Sequence, residues 1–326
     1  MVPGLQYLWF GIRNEKYFRC FDYDIERYRK HSAHPDLDRT RSHLKARIVM
    51  DYHRLEKGLA LRSPRPGFGI AAATQLIANL HKYIELYGAD DNVIISLSVL
   101  VEYCAYNSAQ GADLKSIRES VDALEQAVNT RAGGCEGGTL LINREELFTR
   151  SKRDLSDFFA SRHSVRNFSA EDVDIALLDQ AIRMASRTPS VCNRQSPRVH
   201  VVTTSSLIQE ALTWQNGNRG FAELVNKVLI VTADLECFVH PAERYQVWID
   251  GGMFAMSLVY ALHSLGLGCC CLNWDVNPST DRGMRKALEI PDNESIIMLI
   301  AVGHLPEQFS VAASTRKSLD ALRVIH

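Results

Sequence analysis

The sequence predicts an α+β protein in which a sheet covered by helices follows an all-helical N-terminal module. Two patterns lead to this prediction. Before residue 131, apolar residues recur at three- and four-residue spacings, as on the buried face of a helix. After residue 144, predicted helices alternate with short runs of β-branched and apolar residues, which are typical of strands.

The N-terminal module is predicted to span residues 1–131. Its apolar spacings predict helices at 41–57, 70–86, 93–106 and 114–128. A glycine-rich connector is predicted at 132–143, because four glycines in two pairs favour a flexible segment there. A phosphate-binding loop is the alternative, but the segment lacks the Gly-Lys-Ser/Thr signature and a preceding strand.

The second domain is predicted to span residues 144–326. A helix is expected at 144–160, and the next helix is expected to begin at the capping-box-like pair Ser169 and Asp172. A long helix is expected at 248–264, and it carries no charged side chain after Asp250. Strands are predicted at 198–204, 228–232, 269–274 and 295–302.

Charge and cysteine usage exclude several classes of protein. The 326 residues include 37 basic and 38 acidic side chains, so a nucleic-acid partner is not expected. None of the eight cysteines falls in a Cys-x-x-Cys pair, which favours a reducing, cytoplasmic location and no metal site. Residues 251–272 are uncharged over a membrane-spanning length, but Gly266 and Gly268 interrupt them, so membrane insertion is not expected.

The first candidate functional segment is the run Arg162-His163-Ser164-Val165-Arg166. In an extended chain alternate side chains point the same way, so Arg162, Ser164 and Arg166 would share one face. The outer two would lie about 13 Å apart at roughly 3.3 Å per residue. Guanidinium and hydroxyl donors at this spacing suit the phosphate and ring of a mononucleotide. A solvated charged surface is the alternative.

The second candidate segment is the loop at 188–197, which joins a predicted helix to a predicted strand and reads TPSVCNRQSP. Loops at the ends of sheets often bind ligands. Asn193 and Gln195 each offer donors and an acceptor, which suits the mixed edge of a heterocycle. A capping and turn segment is the alternative.

Together the two segments resemble the FMN-dependent nitroreductase family, which carries Arg-x-Ser-x-Lys/Arg and, one helix later, Pro-Ser-x-x-Asn-x-Gln-Pro-Trp. Here Ser196-Pro197 stands in place of Pro-Trp, and Arg198 follows where an aromatic residue is usual. The family's Gly-Leu-Gly turn into the strand beside the flavin is matched by LGLGCCCLNW at 265–274. Its Gly-Tyr-Pro segment is matched by GHLPE at 303–307. The resemblance covers residues 156–326.

The resemblance implies a nitroreductase-like FMN-binding sheet and a set of cofactor contacts. Arg162, Ser164 and Arg316 would hold the FMN phosphate, and His163 would be a phosphate neighbour or only a turn residue. Arg166 would lie near N1 and O2 of the ring, where its charge favours the anionic reduced flavin. The other implied contacts are Ser190, Asn193 at the pyrimidine edge, Gln195, Leu272, and a backbone amide near Asn273 or Trp274 at N5.

The resemblance also implies the activity of an FMN-dependent oxidoreductase. NAD(P)H would reduce the flavin, which would then reduce a small organic acceptor of the nitro or quinone type, and no catalytic side chain is required. A homodimer with FMN at its interface is implied, with the contact expected at the helix at 248–264. The alternatives are a flavin-binding protein without turnover whose N-terminal module docks a partner, and a dehalogenase or flavin-consuming oxidase of the same fold.

Two further segments carry a choice of interpretations. Residues 53–65 have four basic side chains against one acidic side chain. They form either a lid that attracts an anionic substrate or NAD(P)H, or a helix end followed by a proline-ordered loop. Cys269, Cys270 and Cys271 are interpreted as small apolar side chains in a buried strand rather than as redox groups.

Overall fold

The computed structural model describes residues 15–32, 40–128, 137–141, 144, 155–312, 314 and 316–326. The helices of its N-terminal part are α1 (Glu15–His31), α2 (Arg41–Leu59), α3 (Ile70–Tyr87), α4 (Asp91–Ala109) and α5 (Lys115–Val128). The helices of its C-terminal part are α6 (Ser156–Ser161), α7 (Ile175–Ala185), α8 (Ser205–Thr213), α9 (Gln246–Ser264), α10 (Pro278–Ala287) and α11 (Leu319–Leu322). The strands are β1 (Pro197–Val202), β2 (Lys227–Asp234), β3 (Leu267–Asn273) and β4 (Glu294–His304).

Helices α2 to α5 pack around one apolar core, and they confirm the four helices predicted in this region. Asp90 caps α4 by accepting hydrogen bonds from the N–H groups of Asn92 and Val93. Thr40 caps α2 by accepting a hydrogen bond from the N–H of His43. The large side chains buried at the centre are Ile48, Leu55, Leu76, Leu80, Tyr83, Leu97, Leu100 and Tyr103.

Helix α1, which the sequence analysis did not predict, contacts the C-terminal part of the chain. The buried guanidinium of Arg27 donates hydrogen bonds to the carbonyl oxygens of Asp292 and Glu294, both at 2.7 Å. The Tyr23 hydroxyl donates to Asp281 of α10 at 2.7 Å. Because a buried guanidinium is costly without such acceptors, these bonds hold α1 against the end of the sheet.

The described part of the predicted connector, residues 137–141, lies along α2 and α4. The N–H of Gly138 donates to Glu56 of α2 at 3.2 Å. A Cβ at Gly137 would lie 2.6 Å from the carbonyl oxygen of Ile95 in α4, so this close approach requires glycine. The rest of the predicted flexible connector, 132–136 and 142–143, lies outside the described residues.

The four strands form one antiparallel sheet in the order β1-β2-β4-β3. All eight residues of β2 are buried, because this strand lies inside the sheet and helices cover both faces. Helices α7 and α9 cover the face that carries Leu229, Val231 and Ile300. Helices α8 and α10 cover the face that carries Val228, Ile230 and Leu299. The four predicted strands are confirmed, with ends within two residues of those expected.

Helix α9 confirms the helix predicted at 248–264 and begins two residues earlier, at Gln246, with Asp250 as its single charged residue. Helix α6 contains the end of the helix predicted at 144–160, of which residues 145–154 lie outside the described residues. Helices α8 and α10 were not predicted. No helix within the described ranges combines the length and apolar character needed to cross a bilayer.

The predicted start of the helix after residue 169 is wrong. Helix α7 begins at Ile175, and its N-cap is Asp174, which accepts a hydrogen bond from the N–H of Ala176. Ser169 instead continues the segment beside the sheet, where its N–H donates to the carbonyl of His304 at 2.9 Å. Tertiary pairing therefore overrides the local capping signal.

Candidate functional site

Residues 162–166 form the extended strip that the sequence predicts, and the strip lies against the outer edge of β3. Ser164 forms a parallel bridge with Cys269, and the N–H of Val165 donates to the Cys269 carbonyl at 2.9 Å. Val165 is buried in the core below the sheet. The alternate positions of the strip, which carry the two arginines and Ser164, therefore face away from that core.

The arginines of the strip make this edge electropositive. Burial raises the pKa of the Cys270 thiol, and the charges of Arg166 and Arg162 oppose that rise. Neither arginine forms an ion pair with any carboxylate of the described residues. The two cations and the Ser164 hydroxyl therefore form an uncommitted donor set that suits a phosphate or another anion.

The three adjacent cysteines differ in exposure. Cys269 and Cys270 are buried, and burial raises the pKa of Cys269 to about 12. Their thiols stay protonated at neutral pH, so the packing interpretation is confirmed for this pair. Cys271 is exposed, and the interpretation is wrong for it, because its side chain alternates with the buried Leu272 and lies, like that of Asn273, on the exposed side of the end of β3.

The loop at 188–197 adopts a strained backbone. Cys192, Asn193 and Gln195 have φ values of 49°, 54° and 51°, in the left-handed region that residues other than glycine seldom adopt. Such conformations persist only where surrounding contacts impose them, and they concentrate at ligand sites. The strain therefore supports the interpretation of this loop as a functional segment.

Contacts within the loop and with α9 impose this conformation. The N–H of Gln195 donates to Ser190 Oγ at 2.9 Å, which closes the loop on itself. The N–H of Val191 donates to the carboxylate of Asp250 in α9 at 3.1 Å, and Gln246 donates to the same carboxylate at 2.8 Å. Asp250 is 1% exposed, so it is a buried anchor that sequence reasoning missed.

Two arginines in and after the loop have structural partners. Arg194 is buried and donates to both carboxylate oxygens of Glu243, at 2.5 and 3.1 Å. Arg198, which stands where the family motif has an aromatic residue, pairs with Asp234 at 3.0 Å and Glu294 at 3.1 Å. Each partner is more than 30 residues away in sequence, so no local pattern could have predicted these pairs.

The end of β3 presents backbone groups at the same outer edge as the strip. Because the Cys269 carbonyl points toward the strip, the alternation of an antiparallel strand directs the Asn273 N–H to that edge. The Asn273 carbonyl accepts a hydrogen bond from Gln215 at 3.0 Å. The side chains of Leu272 and Trp274 pack inward, and Trp274 donates to a carboxylate of α10 at 2.8 Å.

The proposed phosphate contacts of Arg316 and His163 stay predictions. Arg316 is exposed, and its Nη1 donates to the carbonyl of Ser314. His163 is exposed and forms no hydrogen bond with another described residue. The structure therefore brings Arg162, Ser164 and Arg166 to the β3 edge, with His163 between two of them in the strip, and no described contact links Arg316 to them.

Within one chain, the strip and the loop lie at opposite edges of the sheet. The strip borders β3, whereas the loop leads into β1, three strand spacings or about 14 Å away. Along α9, the strip lies near His263, which contacts Ser161 at 2.9 Å, and the loop lies near Asp250. These ends of α9 are about 20 Å apart at 1.5 Å per residue. One mononucleotide cannot contact both segments within a single subunit.

Helix α9 carries an apolar stripe on its solvent side. The stripe consists of Trp248, Ile249, Met253 and Met256, which are 38–51% exposed. Phe159 of α6 extends it by packing against Tyr260 of α9, with ring centroids 4.7 Å apart. A contiguous exposed apolar surface of this kind is typical of a protein interface.

The basic segment at 53–65 is tied into the helical core. His53 Nδ1 lies 3.0 Å from Glu56, and the Tyr106 hydroxyl of α4 donates to the Pro64 carbonyl at 2.8 Å. These contacts agree with a helix end followed by an ordered loop. In the parts of the chain that the structure describes, no group of His, Cys, Asp and Glu side chains is arranged to hold a metal ion.

Comparison with known proteins finds a family match in the C-terminal half. The family model of the Nitroreductase family matches residues 159–229 and 214–304, which confirms the resemblance that the motifs indicated. It also confirms the nitroreductase-like fold predicted to follow the helical N-terminal part. No curated protein matches the chain.

Solved structures of nitroreductases also match this half. A protein assigned as a nitroreductase, in complex with FMN, from Desulfovibrio desulfuricans is 20% identical, with 54% of this chain and 98% of that chain covered and a TM-score of 0.47. An FMN-dependent nitroreductase from Clostridium difficile R20291 is 22% identical, with coverages of 52% and 96% and a TM-score of 0.43. A protein assigned as an NADH dehydrogenase/NAD(P)H nitroreductase from Parabacteroides distasonis is 20% identical, with coverages of 54% and 98% and a TM-score of 0.46.

Proposed function

Since residues 159–304 match the nitroreductase family, we propose that this protein is an FMN-dependent oxidoreductase. NAD(P)H would reduce the bound flavin, and the flavin would then reduce a small organic acceptor of the nitro or quinone type. The observation that carries the proposal is the strip at 162–166. Its cations have no carboxylate partner among the described residues, and it lies beside the edge of β3.

The donor set of the strip fits FMN. Arg162 and Ser164 would bind the phosphate together with Arg316, because guanidinium and hydroxyl donors suit phosphate oxygens. Arg166 would stabilise negative charge on the reduced ring, and the Asn273 N–H is the backbone donor for N5. Bound FMN supplies the hydride and electron transfer, so these residues bind and orient it and tune its charge. His163 would lie beside the phosphate, and Leu272 and Trp274, whose side chains pack inward, would hold the end of β3 that carries the Asn273 N–H.

We infer that a second subunit supplies the other side of the flavin. Ser190, Asn193 and Gln195 lie too far from the strip of their own chain to share one mononucleotide with it. A homodimer would bring the loop of one subunit to the strip of the other. The apolar stripe of α9 supports this assembly, because it is the surface that such a dimer would bury.

A cytoplasmic location agrees with the state of the cysteines. The seven cysteines that the structure describes are all free. Free thiols persist in reducing compartments. The proposed hydride donor, a nicotinamide dinucleotide, is also a molecule found inside cells.

The test of this function is an anaerobic flavin titration. The purified protein is expected to be yellow, and NADH or NADPH is expected to bleach its absorbance in the visible range. A nitroaromatic compound or a quinone should then restore the colour. A colourless protein that takes up no added FMN would contradict the site assignment. A yellow protein that neither nicotinamide bleaches would favour a flavin-binding protein without turnover.

A further inference from the structure

A basic cleft lies between the helical core and the loop at 188–197. Its volume is about 410 Å³, within the range of small-molecule sites. The ionisable side chains that line it, apart from a thiol, are Arg41, Lys45, Asp90, Arg194, Arg198 and Asp234. Four of these carry a positive charge and two a negative charge, and Glu243 and Glu294 balance the rest by pairing with Arg194 and Arg198. The positive excess therefore lies on the α2 side, where Arg41 and Lys45 stand against Asp90 alone, and that side favours an anionic ligand.

The surplus charge is concentrated on α2. Arg194 and Arg198 are already paired with buried or half-buried carboxylates of the C-terminal part. Lys45 is exposed and forms no salt bridge with any residue that the structure describes, although burial and the charge of Lys45 act in opposite directions on the pKa of the nearby Asp90, which lies below its usual range. It is therefore the cation of this cleft that a ligand can engage without breaking an existing pair.

Arg41, which lines the cleft with Lys45, is fixed by two hydrogen bonds. Its Nε donates to the hydroxyl of the buried Tyr83 at 2.7 Å, and its Nη2 donates to Asp90 at 3.0 Å. A guanidinium has five N–H donors, and the Arg41 Nη1 group makes no hydrogen bond to any residue in the described ranges, so both of its donors can serve a ligand. The side chain is thus oriented before any ligand binds, which lowers the entropic cost of binding.

The cleft lies directly across the loop from the proposed flavin contacts. Gln195 lines the cleft, and it also lines a smaller cavity of about 120 Å³ on the side of the loop that faces α9. Ser190, a proposed contact of the cofactor, lines that second cavity. A ligand in the basic cleft would therefore lie next to the flavin without occupying its place.

We propose that this cleft binds the phosphate groups of the nicotinamide dinucleotide that reduces the flavin. The inference rests on the proposed function and assigns a role to the helical core. A hydride donor must place its nicotinamide on the flavin, so its phosphates lie to one side of the ring. Lys45 and Arg41 offer charge-assisted donors of the kind that phosphates prefer. The N-terminal helices then form one wall of the donor site.

The test is a calorimetric titration of the FMN-loaded protein with ADP-ribose, which carries the phosphates of the donor but no nicotinamide. Wild type is expected to bind ADP-ribose, and Lys45→Gln is expected to weaken binding about tenfold or more, the effect of losing one charge-assisted contact. Lys45→Arg should retain most of the affinity. The matched control is Lys115→Gln, an exposed lysine of α5 outside the cleft and outside the basic segment at 53–65, which should bind like wild type.

A second measurement links the cleft to the reaction. In anaerobic stopped-flow reduction, Lys45→Gln should raise the apparent Kd for NADH or NADPH and leave the limiting rate of flavin reduction unchanged. Equal Kd values for wild type and Lys45→Gln, or no ADP-ribose binding by wild type, would overturn the inference. Either result would leave the proposed function intact as long as the nicotinamide still bleaches the flavin. Failure to bind FMN would instead refute the proposed function.

Discussion

Arg162 is the residue on which the proposed phosphate site depends. It lies beside β3 without a carboxylate partner among the described residues, so it contributes little to folding and is available to a ligand. We expect Arg162→Ala to weaken FMN binding about tenfold or more, the loss of a charge-assisted contact of roughly 1.5–3 kcal/mol. Fluorescence titration of the apoprotein measures this, and unchanged thermal unfolding of the apoprotein would show that the fold is intact.

The control for this prediction is Arg183→Ala. Arg183 is an exposed cation in the last turn of α7, away from the strip. Its removal should leave FMN affinity as in wild type. Equal affinities for wild type and Arg162→Ala would remove the phosphate role from the strip.

Arg166 is expected to act on the ring rather than on the phosphate. Removing its charge in Arg166→Gln should disfavour the anionic reduced flavin and lower the midpoint potential. A change of about 1.4 kcal/mol corresponds to roughly 30 mV for two electrons. Spectroelectrochemical titration measures the shift, and Arg166→Lys, which keeps the charge, should stay close to wild type. A potential that is the same in all three proteins would contradict the role.

At the scale of elements, α2 contains a buried carboxyl that makes the helical core sensitive to pH. Asp51 is 3% exposed, and burial raises its pKa to about 6. Because the folded protein holds this proton more tightly than the unfolded chain does, the resulting stabilisation is complete below about pH 4. It is lost as the pH rises through 6. The neighbouring Asn79 and Arg54, at 3.4 and 3.5 Å, oppose the shift only in part.

We therefore expect the wild type to lose stability relative to Asp51→Asn between pH 4 and 7, by up to about 3 kcal/mol. Guanidinium unfolding of both apoproteins, followed by helical circular dichroism at several pH values, measures this difference. Asp91→Asn changes an exposed aspartate at the start of α4 in the same group of helices, and it should show no such trend. A difference between wild type and Asp51→Asn that stays constant with pH would contradict the prediction.

The elements themselves were largely predictable. Helices α2 to α5 and all four strands follow from apolar spacing, because burial of one face is decided by the local pattern. The start of α7 was not predictable, because Ser169 pairs with His304, more than 100 residues away. The short helices α8 and α10 were missed, since their patterns span too few turns to stand out from loops.

At the scale of the whole molecule, the apolar stripe of α9 leads to a prediction about assembly. Met253→Glu places a charge on the surface that the proposed homodimer would bury, so it should yield monomers. Because the proposed flavin site needs two subunits, the same variant should lose bound FMN. Light scattering after size exclusion and the flavin-to-protein absorbance ratio measure the two effects.

The control for assembly is Leu207→Glu, a change at an exposed leucine of α8 outside the stripe. Leu207 is 44% exposed and Met253 is 39% exposed, so the two changes start from apolar side chains of similar exposure. Leu207→Glu should leave the oligomeric state and FMN content as in wild type. A monomeric wild type that retains FMN would refute the two-subunit site.

The sequence by itself determined the candidate segments of the flavin site. The arginine strip, the loop around Asn193 and the turn into β3 are contiguous motifs, and a short motif keeps its chemistry wherever the fold places it. Only the tertiary structure decided how they relate. It set the strip and the loop at opposite edges of the sheet, bound Arg194 and Arg198 to distant carboxylates, and placed the cations of α2 across the loop. Strand order and contacts between distant residues depend on the packing of the whole chain, and no local pattern encodes them.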